Sequence, residues 1–75
     1  MKNEKIRIYR EVQRQFDIED AMNWGGDVLG EHIADQMEES FWIEAAERYR
    51  DGFDSTISEY DQMTRVIDEL YKEGR

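Results

Sequence analysis

The chain has 75 residues with no cysteine and no proline, and its 19 acids against 10 bases give a formal charge of −9. A domain this small buries only about 60% of its unfolded surface, and without cysteine neither disulfides nor thiolate-bound metal can staple it, which leaves association with a copy or a partner as the route to further stability. The charge excludes direct binding to DNA or an anionic membrane as the main activity, since affinity there comes from neutralising phosphates; no apolar run approaches the roughly 20 residues of a membrane span and no stretch resembles a signal peptide, so a cytoplasmic location is expected.

The charge is unevenly spread. Residues 1–16 carry Lys2, Lys5, Arg7, Arg10 and Arg14 against Glu4 and Glu11, whereas residues 15–47 hold ten acids and neither Lys nor Arg. Tyr9, Val12 and Phe16 fall at i, i+3 and i+7, which predicts a helix over 3–16 with that stripe in the core. Arg7, Arg10 and Arg14 form a second stripe, a basic arm expected to dock on acids of its own chain or a neighbouring subunit. Asp17 then reads as an N-cap, with Asp20 in a weak capping box, for a short helix over 18–24.

The stretch NWGGDVLGEH, residues 23–32, interrupts this pattern. Gly25 and Gly30 have the spacing of a phosphate-binding loop, but that loop continues with Lys and Ser or Thr, and here Glu31 and His32 follow. The simpler reading is a tight corner. Gly25 and Gly26 end one helix because glycine enters left-handed conformations cheaply, and Asp27 caps the next. Gly30, in the first turn of that helix, accommodates a close neighbour, with the Trp24 indole as the nearest candidate.

A helix over 27–50 follows from Leu29, Ile33, Met37, Phe41, Ala45 and Tyr49 recurring every four residues. Gly52 marks a break, Asp54 or Ser55 is placed to cap, and the last helix is expected over 54–72. Its residues Phe53, Ile57, Tyr60, Thr64, Ile67 and Tyr71 form a heptad-like seam, with Met63, Val66 and Leu70 as a second apolar edge. Together the two edges are wider than one packing partner needs, and Phe53, Ile57, Tyr60, Ile67 and Tyr71 are expected to form a homodimer interface.

The resulting expectation is an all-α domain of three main helices and a short helical turn, spanning 1–75. Its core is drawn from Tyr9, Val12, Phe16, Met22, Trp24, Leu29, Ile33, Met37, Phe41, Ala45, Ile57, Tyr60, Met63, Ile67 and Leu70.

No catalytic signature stands out, and neither a cofactor nor a metal is expected. Glu31, Asp35, Glu38 and Glu39, with His32 beside them, form the densest acidic cluster, but the E-x-x-H pattern of carboxylate-bridged metal bundles is missing. The E-E-x-x-E pattern of acidic nucleotide pyrophosphohydrolases fails at Trp42. Carboxylates three or four residues apart on a helix lie roughly 5–6 Å from one another, a spacing suited to Lys and Arg in a groove that normally holds nucleic acid. By size and charge, the chain looks like the small acidic proteins with which phages disable host nucleases and other defence enzymes.

That likeness implies a non-enzymatic inhibitor, a nucleic-acid mimic of the anti-CRISPR kind. It would bind the basic surface of a CRISPR effector or another nuclease through Asp27, Glu31, Asp35, Glu38, Glu39, Glu44 and Glu47. The alternatives are an oligomeric adaptor that binds through apolar and aromatic surface, and a metal-dependent enzyme using Glu31, Asp35 and Glu39.

Overall fold

A computed structural model describes residues 2–74, with side chains from Lys5 onward, and among these it contains helices and no strand. The helices are α1 (Lys2–Leu29), α2 (Glu31–Gln36), α3 (Glu39–Asp51) and α4 (Glu59–Lys72). The all-α class expected from the sequence holds, but the boundaries do not.

The first correction concerns the opening helices. α1 runs unbroken through both Asp17 and the glycine pair. Asp17 does not cap a helix. It is buried, 3% exposed, and its carboxylate accepts two hydrogen bonds from Arg50 and one from Gln13. Gly25 stays helical, and its bare backbone is covered by the indole of Trp42. The expected packing of the Trp24 indole on Gly30 is absent: the indole that meets a glycine is Trp42, on Gly25 inside α1.

The chain actually turns at Gly30, whose φ of 86° and ψ of 144° suit glycine alone. Its N–H donates to the Gly26 carbonyl at 2.9 Å and closes α1, and its carbonyl accepts from Ala34 at 2.9 Å and opens α2. A Cβ here would meet nothing within 4 Å, so Gly30 is required for its backbone angle and not for space. Asp27 consequently lies in the last turn of α1 instead of capping a new helix.

The second correction concerns the helix expected over 27–50. Besides the turn at Gly30, it breaks at Met37 and Glu38, which are extended with ψ of 139° and 154°. Neither residue is a helix breaker, so the cause is tertiary. A straight helix of that length would run about 36 Å and carry Phe41, Trp42 and Ala45 away from α1. The two breaks return α3 along α1, where those three side chains are buried.

Residues 52–58 form a loop, so α4 starts later than the expected residue 54. The Asp54 carboxylate accepts from the Thr56 backbone at 2.9 Å and from its hydroxyl at 2.6 Å, and these bonds hold the Asp54 carboxyl below its ordinary value. It organises the turn instead of capping the helix. Gln62 reaches back to the Asp54 and Ile57 carbonyls at 2.7 and 2.9 Å. The cap of α4 is Ser58, whose hydroxyl accepts from Asp61 N–H at 3.0 Å.

Ile18 and Ala21 from α1, Phe41, Trp42, Ala45, Ala46 and Tyr49 from α3, and Met63, Ile67 and Leu70 from α4 make up the core. Ala21, Gly25, Ala45 and Ala46 are small enough to bring the helix backbones close. Trp24, Leu29 and Met37 are partly buried against this core, Ile33 is half-buried, and Ile57 and Tyr60 stay largely exposed. Four other expected core residues, Tyr9, Val12, Phe16 and Met22, are 69%, 48%, 56% and 50% exposed.

The reason is length. α1 has 28 residues and spans about 42 Å, close to the 44 Å long dimension of the molecule. With 13 and 14 residues, α3 and α4 span about 20 Å each. They cover the face of α1 that carries Asp17, Ile18, Ala21 and Gly25 and leave the Tyr9–Phe16 stripe to solvent.

Asp20, half-buried on α1, sits among like charges. Burial first, then Asp17, Glu59 and Glu19, push its carboxyl above the ordinary value of 3.8. A carboxyl whose folded pKa is raised favours the folded state only when protonated, so its contribution is lost as pH rises through that folded pKa. Asp20→Asn is therefore expected to raise the melting temperature at pH 7. The gain should shrink towards zero below the ordinary carboxylate range, which thermal melts across that range would show.

Candidate functional site

The acidic residues singled out from the sequence fall into two groups. Asp27 in the last turn of α1, Glu31 and Asp35 on α2, and Glu38 and Glu39 at the α2–α3 joint are all exposed. The turn at Gly30 and the break at Met37–Glu38 bend the segment that carries them, residues 27–39. Among the described residues, no Lys or Arg lies within ion-pair distance of any of these five.

Glu44, which shares a surface pocket with Glu38, and Glu47 differ in having basic partners. Arg48 donates to Glu44 at 3.2 Å and holds Glu73 through both terminal nitrogens, one at 2.8 Å. Glu47 faces Arg14 of α1 at 3.5 Å. Together with Arg50–Asp17 and Lys72–Asp68, these pairs place the available bases on α1, α3 and α4. Exposed pairs contribute only about 0–1 kcal/mol each, but their placement decides where the negative charge is left uncompensated.

Two details shape the corner. The Tyr60 hydroxyl donates to the Asp27 carboxylate at 3.3 Å. Desolvation, followed by this nearby charge, pushes the Tyr60 phenol above its ordinary value. The Tyr60 ring packs edge-on against Trp24 at 5.6 Å, so α4 braces the end of α1. On α2, His32 and Gln36 side chains lie 3.2 Å apart, which ties the imidazole to its own helix.

The arrangement does not assemble a metal centre: among the described residues no three His, Asp or Glu side chains converge to hold an ion. In the sequence, Asp35 and Glu39 share a helical face only if the helix is continuous. The break at Met37 removes that register.

The expected dimer seam is also divided. Ile67 is fully buried beside Met63 and Leu70 and belongs to the core. It cannot be an interface residue. Phe53, Ile57, Tyr60 and Tyr71 are 38–43% exposed, and Phe53 packs edge-on against Tyr49 at 5.7 Å.

Sequence reasoning missed two features. One is the pair of buried Asp17 with half-exposed Arg50, lining an open groove of about 650 Å³ between the first half of α1 and the end of α3. Its signal was an acid at the head of an otherwise small-residue face, Asp17, Ala21 and Gly25. The other is the exposure of the Tyr9, Val12 and Phe16 stripe, flanked by Ile8: its periodicity predicts the helix but not that the stripe faces solvent.

No known protein family, curated protein or solved structure matches the chain.

Proposed function

We propose that the protein is a non-enzymatic binding protein whose bent acidic corner, Asp27, Glu31, Asp35, Glu38 and Glu39, engages a basic surface of a nucleic-acid-handling protein and blocks it. The observation that supports this reading is the density of exposed acids between residues 27 and 39, unpaired among the described residues. Intramolecular ion pairs hold Asp17, Glu44, Glu47, Asp68 and Glu73, while the corner keeps five exposed carboxylates without a basic partner among the described residues. An uncompensated patch steers a partner of opposite sign and fixes its orientation. Blocking of a nuclease by a phage-type inhibitor is the specific form favoured by size and charge.

The test is a pair of reversals, Glu31→Lys with Asp35→Lys. Both positions are exposed, so the helical signal in circular dichroism should be unchanged. Partners retained by the immobilised wild-type protein are expected to be nucleic-acid-binding proteins that added duplex or raised salt releases. For such a partner the double reversal should weaken binding by about 2–5 kcal/mol where the pairs are desolvated. Retention that survives salt and duplex, and is lost instead on Phe53→Ala with Tyr71→Ala, would replace this reading with the adaptor.

A further inference from the structure

The first half of α1 has an apolar face that nothing in the described fold covers. We propose that this face pairs, antiparallel, with the same face of a second copy of the chain. Tyr9, Val12 and Phe16 form its centre, at 69%, 48% and 56% exposed, and Ile8 and Met22 flank it at 57% and 50%. Extended by the exposed Lys5 and Glu19, the residues Lys5, Tyr9, Val12, Phe16 and Glu19 are spaced 4, 3, 4 and 3. This is the seam of a two-helix coiled coil, in which each side chain enters a hole on the facing helix.

The sequence of that seam selects a second copy and its direction. An antiparallel pair about a two-fold axis near Arg14 sets Val12 of each copy level with Phe16 of the other, and Tyr9 level with Glu19. On the flank, Ile8 meets Met22. Lys5 falls just over one turn, about 6 Å along the axis, from the other copy's Glu19. The basic end of each helix thus lies over the acidic end of its mate, and the interface is complementary to itself, as a two-fold contact must be. A parallel pair would set Lys5 on Lys5 and Glu19 on Glu19, like charges in both layers. Arg10 and Arg14 border the groove toward α3, and Tyr9 lies at the boundary between that groove and the apolar face. Ile67 is buried, so the expected α4 seam lacks one of its five residues, whereas the α1 face is exposed along its whole seam.

Cross-linking tests the register, because the natural chain has no cysteine. Val12→Cys and Phe16→Cys are each expected to stay largely uncross-linked alone, since like positions are offset by about 6 Å along the axis in addition to the helix separation. Mixed and oxidised, the two variants should give a disulfide-linked dimer. Sedimentation equilibrium at about 100 µM should find the wild type dimeric if the dissociation constant is near 10 µM. Phe16→Glu, at an exposed position, should weaken association at least about 100-fold with unchanged circular dichroism. A monomeric wild type at that concentration overturns the proposal and leaves the face to a different protein. A dimer that is indifferent to Phe16→Glu, or single-cysteine variants that link to themselves as readily as the mixture, overturns this interface as well.

Discussion

Gly25→Ala is expected to destabilise the protein by about 1–3 kcal/mol, whereas Gly26→Ala, one residue on, is expected to stabilise it by up to about 1 kcal/mol. Helix propensity alone predicts a gain at both, since both glycines lie inside α1. Space separates them. A Cβ on Gly25 would sit 2.2 Å from Cη2 and 2.5 Å from Cζ3 of Trp42. That ring is rigid, 4% exposed, and held edge-on against Phe41 with centroids 4.9 Å apart. It can make room only by pushing α3 away from α1.

A Cβ on Gly26 meets only the Glu31 side chain at 3.6 Å, an ordinary contact. Urea unfolding of the two variants gives the comparison. A Gly25→Ala protein as stable as Gly26→Ala would mean that the indole is not seated on α1.

Arg50→Met is expected to cost about 2–3 kcal/mol. The Arg50 guanidinium grips Asp17 with Nε at 2.9 Å from Oδ2 and Nη2 at 2.7 Å from Oδ1. Removing it leaves a carboxylate that is 3% exposed with the Gln13 amide as its remaining side-chain partner, at 3.2 Å. Breaking a fully buried pair costs about 3–5 kcal/mol. Here the arginine side is 43% exposed, and water entering from the groove offsets part of that loss.

The companion change, Asp17→Leu in the Arg50→Met protein, should recover stability, because the penalty lies in the stranded charge and not in the absent bond. If the double variant is no better than Arg50→Met, the carboxylate was not the source of the loss. Arg50 also lies over the Tyr49 and Phe53 rings at 5.4 and 5.1 Å, and methionine retains the apolar part of that packing.

The acidic corner shows how much of the candidate site could be read in advance. Asp27, Glu31, Asp35, Glu38 and Glu39 stood out because no Lys or Arg lies near them in sequence, and they remain exposed. Glu44 and Glu47 end the same run of acids but stand close to Arg48 in sequence. Their partners are Arg48, one helical turn away, and Arg14, which is distant in sequence and arrives only when α1 and α3 pack.

The sequence by itself determined that the chain is helical, through apolar spacings of three and four and the absence of proline. It also determined the inward face of α3, since Phe41, Ala45 and Tyr49 are buried as their periodicity required, but on α4 it offered two edges, and Ile57 and Tyr60, expected in the core, are exposed while Ile67 is buried. It could not determine which of two stripes on α1 is covered. Tyr9, Val12 and Phe16 are the more apolar, and hydrophobic patterning alone favours them.

Only the tertiary structure decided for the face with Asp17, Ala21 and Gly25, because close helix approach there seats Trp42 and pairs Arg50, gains that involve residues far apart in sequence. The same holds for the breaks. Gly30 carries a local signal for its left-handed turn, but Met37 and Glu38 carry none. Their extended backbone is held by the return of α3 onto α1, since burying Phe41, Trp42 and Ala45 outweighs the helical hydrogen bonds given up at the break.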